Sequence, residues 1–333
     1  MKQLTRPLAF VIAAALLFGA CGSDDTADAT GTEADSAPAE DSATAEASAA
    51  EAASEEETAG SGTFPVTVET SSGALTIGAQ PERIVSMSST ATEMLFAIGA
   101  GPQVTAVDSL SNYPSDAPIT DLSAFEPNLE AIAALEPDLL VLGFPNDELE
   151  TGLADLGVPV LVQAPAAAVD DTYDQIAQLG EATGQLDGAA AVNAEIRAGI
   201  EAIVAEVPES SEPVRVYHEI DDTFYSASSA SFIGQMYELL GYENIADPAD
   251  PDGNGFPQLQ VDQIIDGDPT LIVYTNAYDY GADDIAGRPG WESLTAVAND
   301  NIVEVDADLS SRWGPRIVEF LQLIVDSSPV ATG

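Results

Sequence analysis

Short apolar runs and helical spacings alternate along the chain from residue 64 onward. Ile84–Met87 has the length and composition of a buried strand, and three further apolar runs follow it before residue 170. Between these runs, apolar positions recur with the spacing of amphipathic helices. Strands that alternate with helices in this way indicate an α/β fold with mostly parallel sheets covered on both faces. The further predicted strands are Val104–Asp108, Leu139–Gly143 and Val158–Gln163, and the predicted helices are a segment capped by Ser88 or Ser89 and ended by Gly99, Leu129–Leu135 and Asp147–Leu156.

A longer helical pattern divides this part of the chain in two. Asp171–Thr183 is predicted as one helix closed by Gly184, and about Asp187–Val207 as a second helix stopped by Pro208. Twenty residues of helix span about 30 Å, the width of a small domain. The sequence therefore predicts two Rossmann-like α/β lobes, residues 64–170 and 209–333, bridged by one long helix within a helical region at 171–208. The cleft between the lobes is the expected ligand site.

One segment of the first predicted lobe is repeated in the second. NLEAIAALEPDLLVLG (Asn128–Gly143) aligns without a gap on QVDQIIDGDPTLIVYT (Gln260–Thr275), and EMLFAIG (Glu93–Gly99) is a looser match for QMYELLG (Gln235–Gly241). Each copy of the first pair predicts a short helix with a carboxylate in its first turn, then a proline stop and an apolar strand. A chance match of helix–strand units is the alternative, but the shared carboxylate–proline spacing favours two related lobes.

The first 63 residues have a different character. A basic start and the apolar run Leu8–Phe18, which is too short to span a bilayer, lead to small residues just before Cys21. We predict a signal peptide at residues 1–20 and lipidation of Cys21, the only cysteine; an ordinary secretory signal is the alternative. Residues 22–63 carry twelve carboxylates and no aromatic or basic residue, so residues 21–63 are predicted to form a lipidated cysteine followed by a disordered acidic tether.

The charge balance restricts the possible partners. The chain has 57 acidic and eight basic residues, a formal net charge of −49, which argues against nucleic acid or an anionic membrane surface. A saline habitat and a cationic ligand would each account for this charge. One histidine and one cysteine argue against a metal centre built on several imidazoles or thiolates. Because no hydrolase, nucleotide-binding or metalloprotease motif is found, we predict no enzymatic activity and no cofactor.

Four segments together resemble one known family. PERIVSMSSTATEMLFAIGAG, the Tyr113-Pro114 pair, the NLEAIAALEPDLLVLG segment and RWGPRIVEFL are similar in order and spacing to the periplasmic-binding-protein family for iron–siderophore and vitamin B12 uptake. The resemblance implies a helical-backbone fold of two lobes. It also implies a monomeric, lipid-anchored substrate-binding protein on the extracytoplasmic face, which serves the permease of an ABC importer. The implied ligand is a ferric siderophore; cobalamin and haem are alternatives within the class, and a surface sensor or a hydrolase is an alternative outside it.

The resemblance also directs attention to aromatic residues. Siderophore complexes and corrinoids are large, flat-sided ligands, so their sites need aromatic walls and a few polar contacts. Phe125 precedes the NLE helix where the family often has an aromatic wall, and Phe256 occupies the corresponding place in the second half. Core or loop packing is the ordinary alternative for each aromatic residue. The predicted ligand-binding residues are Ser88, Tyr113, Phe125, Tyr225, Phe256, Tyr278, Arg312 and Trp313, with Arg312 expected to face an anionic ligand or stack on a ring.

Two other polar positions have alternative interpretations. His218, in the predicted strand VRVYHEI, is either a hydrogen-bonded structural residue or an axial ligand of haem or a corrinoid. Asp250, Asp252 and Asn254 match the start of a calcium loop, but Val261 stands where the bidentate glutamate belongs. We therefore interpret this segment as a polar turn, with a calcium site as the alternative.

The repeated carboxylates predict a docking surface. Glu130 and Asp262 occupy equivalent places in the two repeats, each in the first turn of a short helix. The family resemblance implies that one acidic residue per lobe meets arginines on the permease, one on each subunit of its dimer. Favourable interaction with the helix dipole is the alternative reason for an acid at such a position.

Overall fold

The computed structural model describes residues 62–70, 73–208 and 212–329. The predicted signal peptide, Cys21 and nearly all of the predicted tether lie outside these residues. Within the described ranges, no helix combines the length and apolar character needed to cross a membrane. The strands are β1 Val66–Thr70, β2 Gly73–Ile77, β3 Ile84–Met87, β4 Val104–Val107, β5 Leu139–Leu142, β6 Val160–Val162, β7 Arg215–Glu219, β8 Glu243–Asn244, β9 Leu271–Thr275 and β10 Ile302–Val305. The helices are α1 Ser89–Ala97, α2 Leu129–Ala133, α3 Asp147–Asp155, α4 Val169–Thr183, α5 Leu186–Glu206, α6 Phe232–Leu239, α7 Val261–Gly267, α8 Ala282–Ala286, α9 Thr295–Ala298, α10 Ala307–Ser311 and α11 Ile317–Asp326.

Two four-stranded parallel sheets form the two lobes, and they share one strand order. The first sheet has the order β4-β3-β5-β6, and the second has the order β8-β7-β9-β10. In each lobe the chain therefore moves outward on one side of its first strand and then on the other, which is the doubly wound Rossmann arrangement. An antiparallel hairpin, β1-β2, precedes the first lobe and packs on α4. This hairpin has no counterpart among the strands predicted from the sequence.

The central strands contribute to two hydrophobic cores because successive side chains of a strand point to opposite faces. Leu139 and Val141 of β5 join a large core that includes α1, α4, α5 and α11, whereas Leu140 and Leu142 pack in a smaller cluster with α2 and α3. Strand β9 repeats this alternation, with Leu271 and Val273 in the same large core and Ile272 and Tyr274 in a separate cluster of the second lobe. One continuous core thus connects both lobes.

Helix α5 is the long helix that the sequence predicts between the lobes. Its 21 residues correspond to about 31 Å at 1.5 Å per residue, and it packs against α1, α4 and α11. At Gly188 the helix approaches α1 so closely that a Cβ atom would lie 2.0 Å from the carbonyl oxygen of Ile98. This close contact fixes the start of α5 against the first lobe. The predicted α/β fold of two lobes bridged by one long helix is confirmed.

The two repeats end their short helices in the same way. Glu136 after α2 and Asp268 after α7 are equivalent residues, and both have positive φ, 49° and 39°. Arg83 Nε donates to the carbonyl oxygen of Glu136 at 2.7 Å, and Arg215 Nε donates to that of Asp268 at 2.8 Å. Each arginine directly precedes or begins the first strand of its sheet. The predicted relation between the two lobes is therefore confirmed down to single hydrogen bonds.

Candidate functional site

A cavity of about 470 Å³ lies at the carboxyl ends of β7 and β9. This is the end of an open parallel sheet at which the connections diverge to opposite sides, and ligands of doubly wound folds bind there. Most of the lining comes from the second lobe, and Pro165–Ala167, which follow β6, contribute from the first. The volume falls within the range of about 300–1,000 Å³ that is usual for small-molecule sites. The aromatic lining residues are Phe232, Phe256, Tyr278 and Trp313.

Phe256 is held at the cavity by a polar loop. The Asp250 carboxylate accepts hydrogen bonds from Ser228 Oγ at 2.5 Å and from the backbone N–H groups of Asn254 and Gly255, both at 2.8 Å. The Ser228 hydroxyl, together with these backbone donors, keeps the pKa of Asp250 below its ordinary value. The segment interpreted from the sequence as a polar turn is thus held together by hydrogen bonds to the Asp250 carboxylate, and Phe256, which follows it, lines the cavity. Within the described part of the chain, no group of three or more His, Cys, Asp or Glu side chains could hold a metal ion.

Tyr278 is the outer member of a stack of tyrosines. Its ring lies 6.2 Å from that of Tyr280 at an interplanar angle of 18°, and Tyr280 stacks on Tyr274 at 6.0 Å and 28°. Burial is the main cause that raises the pKa of Tyr280, so its phenol is neutral at physiological pH. The stack therefore supports Tyr278 as a flat aromatic wall.

A buried ion pair lies behind this stack. Arg288 donates to both carboxylate oxygens of Glu219, with distances of 2.5 and 2.7 Å, and the Glu219 side chain is fully buried. The guanidinium also lies 4.7 Å from the Trp291 ring centroid, a cation–π distance. Because Glu219 neighbours His218 on β7, this pair stabilises the strand end beside the cavity.

Trp313 forms the side of the cavity near the first lobe. Its indole Nε1 donates to Gln175 Oε1 at 2.8 Å, and Gln175 Nε2 donates to the Ala164 carbonyl oxygen at 2.7 Å. The Ala167 carbonyl accepts a short hydrogen bond from Gln235 of α6. These contacts connect the segment after β6 to the second lobe and to Trp313, so the wall is fixed from both sides.

His218 lies in the lining of the cavity with 1% of its surface exposed. Its Nδ1 is 2.7 Å from Tyr237 Oη, and its Nε2 has no hydrogen-bond partner among the described residues. Burial lowers the pKa of His218 to about 4, so the ring is neutral at pH 7.

Arg312 is not among the residues that line the cavity. Its guanidinium pairs with Glu93 at 2.8 Å and Asp308 at 2.8 Å, and Arg316 pairs with the same Glu93 at 2.7 Å. Arg312 is 6% exposed, and its guanidinium donates hydrogen bonds to groups of the protein itself. The sequence-based expectation that Arg312 faces a ligand does not match this geometry. Of its two acidic partners, Asp308 is a local one, but the buried Glu93 lies far away in the chain and left no local signal.

The other predicted ligand residues do not line this cavity. Ser88 is buried and caps α1 by accepting from the Ala91 N–H at 3.2 Å. The ring of Tyr113 lies 4.2 Å from the Arg316 guanidinium. Phe125 is 74% exposed, and Tyr225 pairs with Gln258 in a short bridge just before α7. The structure thus brings together Phe256, Tyr278 and Trp313 of the predicted set.

One aromatic residue of the cavity wall, Phe232, is not among the predicted ligand-binding residues. Phe232 is the first residue of α6, directly after its N-cap Ser231, and both residues line the cavity. An apolar residue after a capping serine is usually interpreted as the start of a helix and no more. Its position beside the end of β7 depends on the sheet order, which the local sequence does not encode.

Glu130 and Asp262 lie at equivalent places, as the repeat predicts. Each is exposed in the first turn of its short helix, α2 or α7. Among the hydrogen bonds and ion pairs of the described residues, none involves either carboxylate.

Comparison with known proteins agrees with this architecture. The model of the periplasmic binding protein family matches residues 84–309. The chain belongs to this family.

A cobalamin-binding protein of Halobacterium salinarum is 31% identical over 270 residues, 77% of this chain and 72% of that protein. An uncharacterised ABC transporter substrate-binding lipoprotein of Bacillus subtilis, YvrC, is 27% identical over 79% of this chain and 85% of its own. The crystal structure of a possible iron-binding periplasmic solute-binding protein from Staphylococcus epidermidis has a TM-score of 0.64 and 26% identity, covering 75% of this chain and 99% of that one. This chain is therefore an extracytoplasmic substrate-binding protein of the ABC-importer class.

Proposed function

We propose that this protein captures a large, uncharged metal chelate, a corrinoid foremost, and delivers it unchanged to an ABC permease. The observation that carries the proposal is the lining of the cavity, which contains aromatic, small and neutral polar residues but, among the described residues, no Lys, Arg, Asp or Glu. This lack of charge is selective, because the chain as a whole has 65 charged side chains. The 31% identical relative that binds cobalamin supports the choice of ligand class.

The uncharged lining also sets the order of the candidate ligands. A ligand with carboxylates or several phenolates would lose hydration in this cavity without gaining a cationic partner. We therefore place ferric catecholates and haem below cobalamin. A ferric siderophore of the neutral trihydroxamate type, the ligand class implied by the sequence, is the second candidate, since the same lining accommodates a neutral complex.

A titration tests the ligand class. Purified protein is mixed with cyanocobalamin, a ferric trihydroxamate, a ferric tris-catecholate and haemin, and binding is followed by tryptophan fluorescence and by ligand absorbance. We expect the tightest binding for cyanocobalamin or the trihydroxamate and at least tenfold weaker binding for the two anionic ligands. Preferential binding of the catecholate or haemin would contradict the proposal. If none of the four ligands bound, the proposal that the protein binds metal chelates of this class would be rejected.

We propose that Glu130 and Asp262 dock the protein onto its permease. Their equivalent positions and exposure support this role, because two lobes of the same strand order would offer one matched carboxylate to each subunit of a dimer. We expect Glu130→Ala and Asp262→Ala to leave ligand affinity and stability within error and to reduce uptake, most strongly in combination. Glu126→Ala, another exposed acid of the same lobe, is the matched control. Normal uptake in the double variant would reduce both residues to helix-terminal charges.

We propose that Cys21 is lipidated and anchors the protein outside the cytoplasmic membrane. The apolar run before the sole cysteine and the acidic segment after it support this arrangement. Cys21→Ala should move the protein from the membrane fraction to the medium or the periplasm. Retention in the membrane fraction, with the signal peptide still removed, would argue for a different anchor.

A further inference from the structure

His218 combines three properties that occur together nowhere else in the described lining. It lies at the carboxyl end of β7, it lines the cavity, and it is 1% exposed. Among the described residues with a buried side-chain polar atom that lacks a partner, it is the one that lines this cavity. Buried polar groups in proteins are almost always hydrogen-bonded, so an open nitrogen at a cavity wall points to a partner that arrives with the ligand.

Three of the serine hydroxyls in the lining have already used their protons. Ser231 Oγ donates to the Ser228 carbonyl oxygen at 2.7 Å, and Ser310 Oγ donates to the Ala307 carbonyl oxygen at 3.2 Å. Ser311 Oγ donates to the same Ala307 oxygen at 2.6 Å. These hydroxyls therefore serve the protein backbone, whereas His218, which also lines the cavity, keeps a buried nitrogen that has no partner among the described residues.

The Tyr237 hydroxyl determines which nitrogen of His218 carries the proton. Tyr237 is fully buried, and the only hydrogen bond that its Oη makes among the described residues is the one to His218 Nδ1 at 2.7 Å. A proton on Nδ1 would donate to Oη and leave the phenolic proton in the core without an acceptor. A phenol that donates to an unprotonated Nδ1 leaves no donor unsatisfied there.

The ring is therefore in the tautomer with its proton on Nε2. Because burial lowers the pKa of His218 to about 4, a second proton is absent at pH 7. The lone pair of the imidazole then lies on Nδ1 and faces Tyr237, and the N–H group is the one without a partner among the described residues.

We propose that His218 Nε2–H donates a hydrogen bond to a neutral amide-type oxygen of the bound ligand and does not coordinate its metal. Metal coordination requires a lone pair on the nitrogen that faces the ligand, and in this tautomer Nε2 has none to give. Oxygens of the required kind occur in the amide side chains of corrinoids and in hydroxamates, so the inference deepens the proposed function and rests on it.

The single histidine of the chain makes the tautomer directly measurable. The protein is labelled with ¹⁵N-histidine and purified without a histidine tag, so every imidazole signal belongs to His218. We expect Nδ1 to resonate as an unprotonated nitrogen and Nε2 as a protonated one, without change between pH 6 and 8. The reverse assignment in the free protein would overturn the proposal, and this measurement needs no ligand.

Binding measurements then separate this inference from the proposed function. Cyanocobalamin, aquocobalamin and a ferric trihydroxamate are titrated into the wild type, the His218→Gln variant and the His218→Leu/Tyr237→Phe double variant. The double variant removes both hydrogen-bonding partners, so the core keeps no orphaned group. For the ligand that the wild type binds, we expect a roughly five- to tenfold loss in the double variant and a smaller loss with Gln, whose amide still donates.

Each outcome has a defined meaning. Wild-type affinity in the double variant, or a histidine-dependent change in the absorbance of bound aquocobalamin, would overturn the donor role, the latter in favour of cobalt coordination. An Nε2–H proton that shifts downfield on binding supports the donor role. Failure of the wild type to bind any of these ligands would instead reject the proposed function, while the tautomer measurement would still decide the state of His218.

Discussion

The first strands of the two lobes occupy the same place in their sheets but end in different chemistry. Ser86 of β3 pairs in register with Val141, and His218 of β7 pairs with Val273 at the equivalent position. Ser86 belongs to a closed group of hydroxyls, because it accepts from Thr92 Oγ1 at 2.9 Å and donates to the Ser88 carbonyl at 3.3 Å. His218, which lines the cavity, has one nitrogen bonded to Tyr237 and the other without a partner among the described residues.

This difference shows what the duplication keeps and what it changes. The helix stops at Glu136 and Asp268 and the hydrogen bonds from Arg83 and Arg215 are the same in both lobes, since they hold a helix against a strand. The residues at the strand ends do not have to hold a helix against a strand, so they can differ between the lobes. In the first lobe they satisfy one another, and in the second lobe they form a binding cavity.

Both lobes also bury one glutamate, and the two differ in how its charge is balanced. Glu93 on α1 receives hydrogen bonds from two arginines, Arg312 and Arg316, which stand at the other end of the described sequence. Glu219 on β7 is paired with Arg288 alone, in a bidentate contact within its own lobe. Glu93 therefore secures the carboxyl-terminal segment to the first lobe, whereas Glu219 stabilises the region behind the cavity.

The largest effect is expected from removing these buried charges. Glu93→Gln should lower the free energy of unfolding by about 3–5 kcal/mol, because it leaves the Arg316 guanidinium without its ion-pair partner and Arg312 with only the partly exposed Asp308. Glu219→Gln leaves the Arg288 guanidinium without its counterion. The resulting loss in the free energy of unfolding should lie at or below the lower end of that range. Both are measured by urea denaturation followed by circular dichroism.

Asp308→Asn is the matched control for this comparison. This substitution removes the Asp308 carboxylate, a partner of Arg312 whose own side chain is 40% exposed. Exposed ion pairs contribute about 0–1 kcal/mol to the free energy of unfolding. A loss of less than 1 kcal/mol in Glu93→Gln would mean that the two-arginine contact does not secure the carboxyl-terminal segment.

Local patterns predicted the framework of both lobes from sequence. Ile84–Met87 has the predicted bounds, the predicted Leu139–Gly143 strand differs by one residue, and the long helix is displaced by one residue at each end. Strand runs, capping residues and helix stops act over a few positions, so they can be recognised without knowing the fold. The repeat added the relation between the lobes.

The site was harder to predict because its contacts join distant parts of the chain. Arg312 was assigned to the ligand, but its partner Glu93 is 219 residues away. Conversely, His218 and Phe232 meet at the cavity only through the order of β7 and β9 and the placement of α6. Residue type gave good candidates for walls, and tertiary contacts decide which of them are available.

A pair of equivalent phenylalanines tests whether the binding role is concentrated in the second lobe. Phe256 lines the cavity, whereas Phe125 lies outside its lining and can touch only a part of the ligand that extends from it. We expect Phe256→Ala to weaken binding by about 1–3 kcal/mol, roughly ten- to a hundredfold in affinity. Phe125→Ala should weaken binding by less than about 1 kcal/mol. Isothermal titration with the ligand that binds the wild type measures both.

Each phenylalanine serves as the control for the other, because the two are exposed and their truncation leaves the cores intact. Equal losses in the two variants would mean that both lobes contribute walls to the same degree. Loss only in Phe125→Ala would move the binding surface to the first lobe.

The smallest effects should come from the equivalent residues with positive φ, and here the two lobes should respond with opposite sign. A left-handed conformation costs a non-glycine residue about 1–2 kcal/mol, which glycine avoids at the price of a more disordered unfolded chain. Glu136 is exposed, and no hydrogen bond of its side chain occurs among the described residues, so Glu136→Gly should stabilise the protein by up to about 1 kcal/mol. Thermal unfolding and urea denaturation measure the change.

Asp268→Gly should destabilise the protein by about 1–2 kcal/mol despite the same relief of strain. The Asp268 carboxylate accepts hydrogen bonds from Thr295 N at 2.7 Å, Thr295 Oγ1 at 2.8 Å and Arg215 Nη2 at 3.0 Å, and glycine loses all three.

Burial alone would raise the pKa of Asp268, but the bonds from Thr295 and the charge of Arg215 together lower it. Because the folded-state pKa is the lower one, this stabilisation is present at neutral pH and is lost as the pH falls through that pKa. The difference between wild type and Asp268→Gly should therefore shrink in acid. A shift of the same sign in both variants at pH 7 would mean that backbone strain, and not the carboxylate, dominates at both helix ends.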